Sequence, residues 1–260
     1  MSKAGRNRDI AKARVAEMRA REARQARQRR LFMGIGAAVL AIVAAVAIAF
    51  AVTGGGGKPT PSSSTPKLKL GPLSALGPLK PAPKAGPPGF EGVPIPAAPT
   101  LAGQSSAATG GQVDGIRCQT SEQTIFHIHS HLTIFINGTQ RQLPAGVGIP
   151  GSRTVQSQQG PVAQGGSCLY WLHTHAPDGI IHVESPVHRT YTLGNFFDEW
   201  GQPLGPSTLG PLKGHVVAIY NGQLYQGNPR DIPLNAHAQI QLEVGKPLVA
   251  QQKMSFPSGL

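Results

Sequence analysis

The chain is poor in cysteine and in charge. Two cysteines in 260 residues exclude a disulfide-dense mini-protein. Charged residues are 14% of the chain, too few for a coiled coil. Glycine is frequent but not periodic, which excludes collagen. The four methionines stand at 1, 18, 33 and 254, so there is no methionine-rich copper(I) motif. There is also no nucleophile elbow near Ser130 or Ser185, so serine-type hydrolysis has no support.

The formal charge of +12 is unevenly placed. Residues 1–30 carry 11 basic and 3 acidic side chains, and residues 53–111 carry 5 and 1. Residues 112–260 carry 8 of each. The part able to fold is therefore neutral and lacks the basic excess that phosphate binding needs, so no nucleic acid is expected.

Leu31 to Val52 is a run of 22 residues without a charged or strongly polar side chain. As a helix it would span about 30 Å of hydrocarbon. It follows Arg29-Arg30, so the positive-inside rule places residues 1–30 in the cytoplasm, as a basic helical arm on anionic lipid. Everything after Val52 is then extracytoplasmic. A cleaved signal peptide ending at Ala49-Phe50-Ala51 is the rival reading, though its apolar region would be unusually long. Small residues recur every four positions (Gly34 and Ala38; Ala41, Ala45 and Ala49), a spacing that suits either helix–helix contact or a lipid-facing helix.

Residues 53–111 hold 12 Pro and 12 Gly, a composition that reads as a disordered tether with no packed core. The stretch from Phe90 to Leu101 is more apolar and can dock on the domain C-terminal to it. Residues 251–260 read as a tail.

Residues 112–250 read as a mainly β domain, a small antiparallel sandwich or barrel with one short helix. Between 124 and 136, Phe126, Ile128, Leu132, Ile134 and Ile136 alternate with His127, His129, His131 and Thr133, the period of a half-buried strand. Asn137-Gly138 and Asn221-Gly222 are hairpin signals. Leu193, Phe196, Phe197 and Trp200 follow helical spacing, with Thr192 and Gly201 placed to cap the helix. A last strand alternates through Ala236, Ala238, Ile240, Leu242 and Val244.

Both cysteines lie beyond the apolar run, where a Cys118–Cys168 disulfide is the default state and a thiolate metal site the rival. A bridge would hold the two histidine-bearing segments near one another.

Six of nine histidines fall in two groups: His127, His129 and His131, then His173, His175 and His182, followed by Glu184. Residues at i, i+2 and i+4 of a strand share a face, so three imidazoles line one side of a single strand. A divalent transition metal, copper or zinc, explains such a pattern. The second group depends on register. A plain turn at 176–179 sets His173 across from His182, whereas a bulge at Gly179 turns His182 away. Glu184 can act as a ligand, as a partner to a ligand, or as a general acid/base. His188, His215 and His237 read as ordinary polar histidines.

Three segments carry a resemblance. They are Phe126-His-Ile-His-Ser-His-Leu-Thr-Ile-Phe-Ile-Asn-Gly138, Trp171-Leu-His-Thr-His-Ala-Pro-Asp-Gly-Ile-Ile-His-Val-Glu184 and Leu193-Gly-Asn-Phe-Phe-Asp-Glu-Trp-Gly201. Over about residues 90–245 the chain resembles a family of uncharacterised bacterial membrane-anchored proteins, which implies architecture but no chemistry. Separately, Trp171-x-His173-x-His175 is similar to the W-x-H-x-H segment of multicopper oxidases. Those enzymes spread four such segments over several domains. This chain has one small domain and no His-Cys-His motif, which argues against full oxidase activity.

The leading expectation is a membrane-tethered, extracytoplasmic metal-binding module that buffers, delivers or senses copper or zinc. A small metalloenzyme with Glu184 as acid/base is the alternative, and an envelope protein with incidental histidines is the third.

Overall fold

The computed structural model describes residues 68–104 and 109–260. The expected arm at 1–30, the apolar segment at 31–52 and the start of the linker lie outside the described residues. Among the described residues, no helix is long and apolar enough to cross a membrane.

The main sheet has eight strands: β1 (Leu70–Gly71), β2 (Phe126–Ile136), β3 (Thr139–Arg141), β4 (Leu172–His173), β5 (Ile180–Ser185), β6 (Val216–Tyr220), β7 (Gln223–Tyr225) and β8 (Gln239–Val244). Their order is β1-β7-β6-β8-β2-β5-β4, with β3 also paired to β2. Both Asn-Gly hairpins form. Asn137 and Gly138 turn β2 into β3, Asn221 and Gly222 turn β6 into β7, and all four residues have positive φ, as a tight primed turn requires.

The sheet departs from the antiparallel expectation at its centre, where β8 pairs with β2 in parallel. Alternating polarity reports which face a residue takes but not the direction of the neighbouring strand. The chain between β2 and β8 is long enough for the crossover that a parallel pair needs.

One face of the sheet packs on the helix α1 (Leu193–Trp200). Thr192 and Asn195 form a reciprocal capping box, and Gly201 closes the C-terminus in the left-handed conformation. Leu193, Phe196, Phe197 and Trp200 are fully buried in one core with Leu132, Ile134, Ile181 and Val183. Each such side chain contributes about 2–3 kcal/mol by leaving water.

The opposite face, polar in sequence, is also covered. Here the expected free linker is corrected over its described part. β1 adds to the edge of β7, Lys80 exchanges backbone hydrogen bonds with Leu248 and Ala250, and Leu101 donates to the Gln142 carbonyl. Val93 is buried there, while Leu101 passes to the other side and joins the core beneath α1. A Pro/Gly-rich chain cannot build its own core, but it can lie extended on an existing one and bury a few apolar side chains there. The tail packs likewise: the backbone amides of Gln252 and Met254 donate to the side-chain oxygens of Gln241 and Gln239.

Candidate metal centre

The covered polar face carries the histidines. On β2 and β5, His127 stands opposite Glu184 and His129 opposite His182. On β4, His173 stands opposite His182, so the plain-turn register holds and Gly179 does not turn His182 away. His173, His182 and His129 thus form a row across three adjacent strands. The Cys118–Cys168 disulfide is formed, and Cys118 lies across from Tyr170, three residues before His173.

Four donor atoms close into a ring. His127 Nε2 lies 3.1 Å from His129 Nε2, which lies 3.1 Å from His182 Nδ1. His182 Nδ1 lies 3.3 Å from Glu184 Oε1, which returns to His127 Nε2 at 3.2 Å. Donors about 2.05 Å from one shared ion stand about 3.3 Å apart in a tetrahedron and about 2.9 Å apart along the edges of a square. The observed edges fall between these values. These four side chains can hold a metal ion, as can the group His173, His175, His182 and Glu184.

The electrostatics fit ligands. Burial, helped by the neighbouring His182 and His127, pushes His129 down to about 4. Burial likewise pushes His173 down to about 3, aided by His182 and His175. Burial also lowers His175. Neutral imidazoles present lone pairs at physiological pH. His182 is the exception. Burial opposes its charge, but hydrogen bonds to Glu184 and Glu91 outweigh burial and raise it to about 9. Without metal, a proton therefore sits on His182, and metal binding must expel one. Glu184 is pushed up by burial but pulled further down by His182, His173 and His127. Its Oε1 stands between His127 Nε2 and His182 Nδ1, a placement that suits a ligand.

The tautomers are set by partners outside the ring. His182 Nε2 donates to Glu91 Oε1 at 2.5 Å, which leaves Nδ1 for the metal. His173 Nδ1 donates to the Tyr170 carbonyl at 2.8 Å and leaves Nε2 facing inward. Carboxylates and carbonyls in this position orient metal-bound histidines and raise their basicity. Gly148 permits the close approach over His173: at φ +71 a Cβ there would lie 2.2 Å from the Leu172 carbonyl oxygen.

His131, expected among the ligands, stands apart. Its Nε2 donates to the Asp178 carbonyl at 2.9 Å, and its Nδ1 faces the Thr133 hydroxyl at 3.4 Å. Both nitrogens are engaged, and burial pushes it down to about 4. Strand geometry puts it on the correct face but one pair beyond the ring. The three histidines read as ordinary keep that character: His188 packs on Phe126, His215 is exposed, and His237 donates to the Leu260 carbonyl.

Glu91 is not singled out by the sequence, and neither is Glu122, whose Oε1 lies 3.9 Å from His175 Nε2. The signal for Glu91 is its isolation, for it is the lone acidic residue of 53–111 and sits in the apolar stretch able to dock. A docked carboxylate must find a partner. Asp178, also missed, is raised to about 8 by burial and by the Glu91 charge.

The site is buried at its floor and open at one edge. His127 is 38% exposed and His175 23%, whereas Glu184 is 3% exposed. A cavity of about 220 Å³ reaches His127 and His129 past Ala236 and Leu260. Comparison with protein-family models, curated proteins and solved structures finds no match.

Proposed function

We propose that this chain is a membrane-tethered, extracytoplasmic metal-binding protein that holds copper or zinc on one face of a β-sheet. The observation that carries the reading is the closed ring of His127, His129, His182 and Glu184, with edges of 3.1–3.3 Å. Four protein donors leave no open position on a four-coordinate ion, which favours binding over catalysis at that ion. Imidazole and carboxylate donors suit Cu(II) and Zn(II). Export is supported by the 22-residue apolar run behind a basic arm and by the disulfide. The neutral charge of residues 112–260 argues for an ion rather than a nucleic acid as the ligand.

The test is elemental analysis of the full chain, extracted in detergent and purified without a polyhistidine tag. Copper or zinc should co-purify, and the His129→Ala/His182→Ala double variant should lose the ion from this ring. A folded wild-type protein that carries no metal and takes up none on titration would reject the reading.

A further inference from the structure

Two polar atoms beside the ring have no partner. His173 Nε2 and Glu184 Oε2 are buried and unbonded, and they face each other across 3.9 Å. His173 is wholly buried and Glu184 is 3% exposed. A buried imidazole lone pair facing a buried carboxylate oxygen is repulsive unless something positive lies between them. The gap is too long for a hydrogen bond. A cation about 2.1 Å from each atom spans it at an obtuse angle. Tyr170 holds the His173 proton on Nδ1, so Nε2 is free to ligate. His175 lies beside it, with ring centroids 4.8 Å apart, and Glu122 flanks His175 from the solvent side.

We infer that the protein holds two metal ions, with Glu184 bridging them: Oε1 completes the ring with His127, His129 and His182, and Oε2 joins His173 and His175 around a second ion. The inference rests on the metal-binding reading above and extends it. His182 cannot serve both ions, because Nδ1 belongs to the ring and Nε2 is bonded to Glu91. The second ion therefore has three close protein donors where the first has four. His175, 23% exposed, gives it contact with solvent, and a coordination position is left for water or an exogenous ligand. The two ions differ in kind: four protein donors close the first, whereas three hold the second and leave it one position for another ligand.

The experiment is titration of the metal-stripped full chain with Cu(II), followed by equilibrium dialysis and electron paramagnetic resonance. Two equivalents should bind, and carboxylate-bridged Cu(II) ions should lose signal intensity through magnetic coupling. His173→Ala should bind one equivalent with a full, uncoupled signal. His175→Ala, at a half-buried position, should do the same if the fully buried alanine variant fails to fold. Glu184→Gln, which cannot bridge as a carboxylate does, should abolish the coupling. One equivalent in the wild type, with one retained in His175→Ala, would overturn the second site and leave the ring standing. Two uncoupled ions unaffected by Glu184→Gln would overturn the bridge. Neither copper nor, in a parallel dialysis, zinc bound to the folded chain would overturn both.

Discussion

Removing the Glu91 carboxylate should weaken metal binding without removing a ligand. Glu91 Oε1 accepts from His182 Nε2 at 2.5 Å, and both side chains are 7% exposed. The bond fixes the proton on Nε2 and strengthens the Nδ1 lone pair. Loss of such a partner costs about 10–100-fold in affinity, or about 1.4–2.8 kcal/mol. A second effect runs the other way. Glu91 is one of the two carboxylates that raise His182 to about 9. In the wild type, metal must displace that proton, so affinity should climb about tenfold per pH unit from neutrality toward pH 9. Glu91→Ala lowers the His182 pKa and weakens this competition. The two proteins should therefore differ most near pH 9, where only the lost orientation remains, and less near pH 7. Competition against a chromophoric chelator at both pH values, with circular dichroism to confirm folding, measures this. Equal affinities at pH 9, or a wild-type affinity indifferent to pH, would refute the reasoning.

Three further outcomes rest on the same geometry. Replacing both cysteines with alanine opens a link of sequence separation 50 and should cost about 4 kcal/mol in chemical denaturation. His131→Asn should leave metal stoichiometry unchanged while altering acid stability. The wild-type His131 is held to about 4 when folded but protonates near 6.5 when unfolded, so its stabilising contribution is present above 6.5 and lost as pH falls toward 4. Metal-free wild type should therefore lose about 3 kcal/mol more than the variant between pH 7 and pH 4 in urea titrations. Glu199 is fully buried on α1 with both oxygens unbonded, and burial raises its pKa well above the usual range. Its unfolded form ionises first, so stability falls as pH rises above about 4.5. Glu199→Gln should raise Tm at pH 7 and leave it nearly unchanged at pH 4, and equal shifts at both would reject this account.

Much of the fold is legible in the sequence because its signals are local. The alternation in 126–136, the two Asn-Gly turns and the Thr192 and Gly201 caps each occupy a few consecutive residues, and each appears where those residues dictate. The histidine face is legible for the same reason, since period two puts His127, His129 and His131 on one side. The hidden features depend on distant chain. His131 and His129 are indistinguishable in sequence, and only the loop carrying Asp178 and Gly179 separates a hydrogen-bonded imidazole from a member of the ring. Glu91 reaches His182 because a segment without regular secondary structure of its own lies down on the sheet. The burial of Gln241 and Glu243 has the same origin, for Val249 and its neighbours satisfy both side chains. A polar alternating face normally signals solvent, and here it signals a second layer of irregular chain.

The parallel partnership of β8 with β2 also sets the order of assembly. His237 donates its backbone amide to the His129 carbonyl, and Ala238 accepts from His131, so the strand that presents the first imidazoles is braced by chain more than a hundred residues later. Such distant closure is slow and comes late in folding. A nascent chain emerging N-terminus first has made all six clustered histidines long before the brace arrives. The row of imidazoles on β4, β5 and β2 therefore takes its final spacing only when nearly the whole polypeptide is out.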